Sequence, residues 1–210
     1  MVAKLTYFAM SGIGDPIRLL LSYSNIEFED IRIGKGEDWQ KLKPTLKLPY
    51  LPMLEMDGKT HFQTFAICRY LARKAGLNGS SEEEGLAIDA TVDTLVDMLK
   101  KTVLDYFRPD SEERSKLLKT SLEVTIPFYL NVFEKQLEEN NGYLVAGKFT
   151  WADIVALTLV FYISGIFKVD ILANFPKLKE HRQKISELPG IKEWLEKRPA
   201  DPEDYKPLFF

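Results

Sequence analysis

Tyr7 closes a short alternating stretch, Leu5-Thr-Tyr-Phe8, just before a glycine-rich loop that carries Ser11, Gly12 and Gly14. A phenol at that point can donate a hydrogen bond to an ionising group, or it can fill the buried face of a strand. The pattern alone leaves both readings open. The second chemical candidate runs from Leu48 to Tyr70. Pro52 opens an apolar strand through Met53, Leu54 and Met56, and Asp57-Gly58 makes a tight hairpin turn. A second strand follows through Phe62, and Gln63-Thr64 places a hydroxyl at the N-cap of a helix that begins with Phe65. A strand start beside a helix start leaves free backbone donors and acceptors side by side, and a helix N-terminus favours negative charge. Such a site suits a small anionic peptide.

Other chemistries find less support. Cys68 is the sole cysteine, so no internal disulfide is possible and a reducing, cytoplasmic setting is expected. It falls inside a helix rather than at its N-terminus, so nothing obvious lowers its pKa. His61 and His181 have no legible spacing to it, and no metal site is expected. Asp89, Asp93 and Asp97 form a stripe spaced by four on a long helical pattern. Like charges at that spacing repel, so the stripe needs solvent or cations. Either it is a solvated face, or it meets Arg69 or Arg73 of a second copy.

The elements that must position these groups follow from period and punctuation. Residues 3–8 read as a strand, Asp15-Pro16 starts a helix, and Phe28 to Ile33 alternates as a second strand, a βαβ opening that implies parallel pairing. A short helix around Trp39 to Leu46, broken by Pro44, leads into the hairpin and its helix. The order β-α-β-α-β-β-α points to one mixed sheet with helices on its faces. Leu77 to Ser81 is the expected linker. Beyond it the period is helical throughout. Ile88, Val92, Leu95, Leu99 and Val103 mark one face of a long helix, and a second long helix is expected over Glu112 to Glu139 with a kink at Pro127. Thr150-Trp-Ala-Asp153 is a capping box before the nearly uncharged run Ile154–Phe167, the expected central helix. Two shorter helices follow. The expected boundaries are 1–76, a linker at 77–81, and 82–210.

A net charge of -3 argues against nucleic acid or an anionic membrane as the main partner. The opening Met-Val-Ala-Lys enters a strand pattern at once, so no signal peptide is expected, and no apolar run approaches a membrane span.

This order of signals resembles the soluble glutathione transferase family, the sigma class most closely. The resemblance rests on Leu5-Thr-Tyr-Phe8, Asp38-Trp39 with Lys43-Pro44-Thr45, Leu51-Pro52-Met-Leu-Glu55, Asp57-Gly58-Lys59, Gln63-Thr64, Thr150-Trp-Ala-Asp153 and Lys197-Arg198-Pro199. It implies a thioredoxin-like N-terminal domain, an all-α C-terminal domain, a homodimer, and reduced glutathione as co-substrate. It also implies that Tyr7 is the catalytic residue, donating to the thiol sulfur. By the same resemblance Trp39 and Lys43 contact the glycyl end of glutathione, Leu51-Pro52 is a cis-proline turn pairing with its cysteinyl part, and Gln63 and Thr64 hold the γ-glutamyl end. Asp97 aligns with the aspartate that reaches the ammonium of glutathione bound to the other subunit.

The hydrophobic substrate pocket is expected between the domains, from Phe8, Met10 and Ile13, from Leu99, Val103 and Tyr106, and from Val155 and Leu159. The Leu208-Phe209-Phe210 tail either folds over this pocket or stays loose. Two positions depart from the pattern. Pro49-Tyr50 stands where the class carries Gly followed by Gln or Lys, which alters one contact to glutathione at Tyr50. Ile13 replaces an arginine found near the thiol in some members, which places more of the thiolate stabilisation on Tyr7. The expected activity is conjugation of glutathione thiolate to small hydrophobic electrophiles. The alternatives are a glutathione-dependent prostaglandin-type isomerase and a weakly active binding or structural relative.

Overall fold

The computed structural model describes residues 2–34, 36–203 and 205, so the Leu208-Phe209-Phe210 tail lies outside the described residues. The chain divides into two compact units, one formed by Met1–Gly76 with Glu187–Phe210 and the other by Leu77–Ser186.

In the first unit β1 (Ala3–Phe8) pairs in parallel with β2 (Phe28–Ile33) and antiparallel with β3 (Met53–Met56), which pairs antiparallel with β4 (Lys59–Phe62). The four-stranded order is β2-β1-β3-β4. Parallel β1 and β2 need a crossover, supplied by α1 (Asp15–Tyr23), whose Pro16 sits where a missing N–H is harmless. Asp57 and Gly58 both take positive φ (52° and 73°), the two-residue hairpin turn expected from an Asp-Gly pair. α2 (Glu37–Leu42) continues into a tighter 3₁₀ turn at Lys43–Thr45, where Pro44 cannot sustain the α ladder. α3 (Thr64–Lys74) packs Ile67, Cys68, Leu71 and Ala72 inward.

Cys68 is wholly buried and burial pushes its thiol well above the ordinary range. The native protein should therefore leave a disulfide-exchange reagent such as dithiobis-nitrobenzoate unreacted near pH 8, and release its colour only on unfolding. The sign follows for stability. The unfolded thiol ionises above about 8.5 while the folded one keeps its proton, so this stabilisation is complete below that pH and declines above it. Rapid labelling of native protein would contradict the burial.

The second unit begins sooner than a slack linker would allow. Leu77 is buried and its carbonyl accepts the Trp151 N–H at 3.2 Å. α4 (Glu82–Tyr106) starts on Ser81, whose hydroxyl accepts from the Glu84 N–H, and buries the expected face Ile88, Val92, Leu95, Leu99 and Val103. The helix expected over Glu112 to Glu139 is two: α5 (Glu112–Thr120) and α6 (Ile126–Glu139), joined by a π-helical turn at Ser121–Thr125. The ring of Pro127 obstructs an α-type carbonyl one turn earlier, and the wider π turn accommodates it. α7 (Trp151–Phe167) is buried along nearly its whole length, and α8 (Pro176–Ser186) follows.

The expected 82–210 domain is also corrected. α9 (Ile191–Lys197) returns to the first unit, with Trp194 against Phe28 at 5.3 Å between centroids. Gly190, at φ 79°, makes this possible: a Cβ there would lie 2.6 Å from the Ser22 carbonyl oxygen and 2.8 Å from Tyr23 Cα. Among the described residues no helix is long and apolar enough to cross a membrane.

Candidate active site

The ladder register brings three stretches to one end of the sheet. Thr6 pairs with Met53 and Met53 with Phe62, so one further step places Pro52 between Tyr7 and Gln63. Parallel β2 ends at the same level, Phe8 beside Ile33, and feeds α2. Phe8 meets Tyr7 at 5.5 Å and Trp39 edge-on at 5.6 Å, so an aromatic row runs from the phenol to α2. Lys43 lies exposed at the end of that helix. The Leu51–Pro52 bond is cis, as the resemblance implies.

Tyr7 is enclosed by the loop that follows it. A Cβ on Gly12 would stand 2.8 Å from the Tyr7 hydroxyl, and one on Gly14 2.4 Å from the ring, so only glycine lets the turn close over the phenol. The Ile13 N–H donates to that hydroxyl, and Arg18 lies over the ring at 5.7 Å. Burial drives the phenol pKa well above its usual value; the Ile13 amide and the Arg18 charge pull the other way, and Asp15 and Asp201 add to the rise. Tyr7 therefore holds its proton at neutral pH.

Around it runs a row of alternating charges that the sequence reading missed. Arg32 pairs with Asp30 at 2.7 Å, Asp30 with Arg18 at 2.8 Å, Arg18 with Asp15 at 2.9 Å, and Asp15 with Arg198 at 2.5 Å. Arg18 has no exposed surface and also donates to the Met10 carbonyl at 2.8 Å. Its signal was present in the sequence: a charge inside the apolar run Ile17–Leu21, three residues after an aspartate.

The helix start differs from expectation by one residue. Gln63, not Thr64, is the N-cap of α3, and it takes φ 73° and ψ 102°, a conformation that costs a non-glycine residue roughly 1–3 kcal/mol. Thr64 is the first helical residue, 4% exposed, and its hydroxyl oxygen has no hydrogen-bond partner among the described residues. The first intrahelical bond is Ile67 N–H to Gln63 C=O, so the amides of Thr64, Phe65 and Ala66 precede the ladder. An orphaned hydroxyl, three unladdered amides and a strained backbone at one helix N-terminus fit an anionic group.

Tyr50 is 61% exposed, while Met10 is buried under the glycine turn and Ile13 is half-buried. Leu99, Val103 and Tyr106 lie on α4; Val155 and Leu159 are fully buried core residues of α7 and offer no surface to a ligand. Asp93 and Asp97 are exposed on α4. Among the described residues no group of three or more His, Cys, Asp or Glu side chains could hold a metal ion.

Residues 3–73 match the family model described as glutathione S-transferase, N-terminal domain, and residues 96–198 match that of the C-terminal domain. The chain belongs to the glutathione S-transferase family. It is an enzyme fold whose co-substrate is glutathione, with a thioredoxin-like unit followed by a helical one. The chain is 41% identical to a glutathione S-transferase of Anopheles gambiae over 93% of its length and 96% of that protein. It is 34% identical to the human hematopoietic prostaglandin D synthase, covering 93% of this chain and 96% of that one. Among solved structures, a prostaglandin synthase D of Nilaparvata lugens superposes with a TM-score of 0.89 at 42% identity, over 95% of this chain and 100% of that one.

Proposed function

We propose that this chain conjugates the thiolate of reduced glutathione to small hydrophobic electrophiles, with Tyr7 donating to the sulfur. The carrying observation is the Thr64 hydroxyl, buried and unpartnered at the start of α3, at the same end of the sheet as a phenol that keeps its proton. In this reading Gln63 and Thr64 take the γ-glutamyl carboxylate, and the backbone of Leu51 before Pro52 pairs with the cysteinyl segment. Trp39 and Lys43 face the glycyl end. Phe8 and Ile13 border the reacting sulfur on the electrophile side. The sulfur lone pair attacks the electrophilic carbon, the leaving group departs with the bonding pair, and the thiol proton passes to solvent.

Asp97 belongs to the proposal through a second copy. Its exposed carboxylate on α4 would reach the ammonium of glutathione held by the neighbouring subunit of a homodimer, so each site would be built from two chains. The test is calorimetric titration with glutathione. Thr64→Val, which keeps the shape and deletes the hydroxyl, should weaken binding about tenfold, as should Asp97→Ala, with helical circular dichroism unchanged. Wild-type affinity in Thr64→Val would remove the carrying observation, and wild-type affinity in Asp97→Ala would remove the shared site.

The prostaglandin synthase relatives favour one second reading, isomerisation of an endoperoxide at the same thiolate. Conjugation consumes glutathione and isomerisation returns it. Counting glutathione consumed per product with each substrate class separates the two.

A further inference from the structure

The turn that closes over Tyr7 is held at both ends by the last described stretch of the chain. Asp201 accepts the Ser11 N–H at 2.5 Å with one oxygen and the Ser11 hydroxyl at 2.5 Å with the other. Tyr205, 3% exposed, hydrogen-bonds through its hydroxyl with both Asp201 and Ser11. At the other end of the turn, Arg198 pairs with Asp15, the first residue of α1. Ser11 and Asp15 thus bracket Gly12, Ile13 and Gly14, which close over Tyr7.

We propose that Asp201 is a positioning residue for Tyr7: with Arg198 and Tyr205 it forms a C-terminal strap that fixes the Ser11–Gly14 turn and so sets where the Tyr7 hydroxyl points. A carboxylate that takes two donors from one residue fixes orientation as well as distance. Because the glycines leave no slack against the ring, a shift of the turn is a shift of the phenol. Hydrogen bonds weaken steeply with angle, and a misplacement of about 1 Å at a reacting group can cost about 100-fold in rate. The negative charge of Asp201 also favours the protonated phenol, which is the donor form. Asp201 and Tyr205 lie past residue 198, where the match to the C-terminal family model stops, while Arg198 lies inside it.

The inference rests on Tyr7 being the donor to the thiol, and the experiment separates the two. Asp201→Ala, Asp201→Asn and Tyr205→Phe are made in full-length protein, each alone and in a Tyr7→Phe background. They are assayed with glutathione and a chromogenic dinitrobenzene halide across pH. Asp201→Ala should lower kcat about tenfold, keep the glutathione KM within about twofold, and move the acid limb of the pH–rate profile upward. Asp201→Asn, which keeps an acceptor for Ser11, should fall between it and wild type. In the Tyr7→Phe background, Asp201→Ala should lower kcat by less than about twofold, because the group it positions is gone.

Full wild-type kcat in Asp201→Ala, or an equal loss in both backgrounds, overturns the strap. If Tyr7→Phe is slow while Asp201→Ala is fast, only the strap fails. A Tyr7→Phe enzyme with wild-type rate removes the catalytic reading and the strap with it. Should Asp201→Ala fail to fold, the Asn and Tyr205→Phe variants carry the same comparison.

Discussion

Tyr7→Phe is expected to lower kcat/KM for conjugation about 100-fold near pH 6.5 while the glutathione KM stays within about twofold. The substitution keeps the ring that Gly12 and Gly14 pack against and deletes only the hydroxyl. A free thiol has a pKa of about 8.5; one hydrogen bond that favours the thiolate by about 2.7 kcal/mol lowers this by about two units. The sign fixes the pH dependence. In wild type the thiolate is present below the ordinary thiol pKa, and in the variant it appears only as the pH approaches about 8.5. The ratio of the two rates should therefore be large at acid pH and shrink as the pH rises. The phenol itself contributes no titration there, since burial holds its proton. A loss of less than about twofold at acid pH would place the thiolate's stabilisation elsewhere.

Asp153→Ala is expected to remove about 4 kcal/mol of stability, a large effect for a residue outside the site. Asp153 has no exposed surface. It accepts the Thr150 N–H at 2.8 Å and hydroxyl at 3.1 Å, and the Leu144 N–H at 2.9 Å, with His181 Nε2 at 2.9 Å. Alanine would leave these groups buried without partners, each at a cost of about 1–3 kcal/mol before relaxation. Urea unfolding followed by tryptophan fluorescence measures the loss. Asp153→Asn retains one acceptor and should lie between the two. A loss under about 1 kcal/mol would mean that water or rearrangement satisfies all of these groups.

What the sequence made legible was local. The Asp57-Gly58 turn, the Thr150–Asp153 box and the apolar face of α4 are each written within a few residues, and each formed as expected. The Gln63-Thr64 signal was right in place and wrong in phase. A polar pair before an apolar run marks a helix start, but Gln63 takes a left-handed φ that no propensity anticipates. The π turn before Pro127 was hidden because a proline signals a break without saying how the backbone absorbs it. Least legible were pairings across the whole chain. Ser11 and Asp201 are 190 residues apart, and neither has a local pattern that names the other. The same holds for Gly190, whose need for glycine comes from the end of α1.

The row of alternating charges Arg32, Asp30, Arg18, Asp15 and Arg198 has a consequence for how this sequence can change over time. Asp30, Arg18 and Asp15 each neutralise two neighbours, so loss of any one of them takes a partner from two groups at once, and an uncompensated buried charge costs about 3–5 kcal/mol. Loss of an end pair, Arg32 with Asp30 or Asp15 with Arg198, leaves the other three members paired. Single steps at the interior members therefore cost more than double steps at the ends, so Asp30 should drift with Arg32 and Asp15 with Arg198. The tail residue Arg198 should then substitute together with Asp15 rather than with its neighbours in the chain.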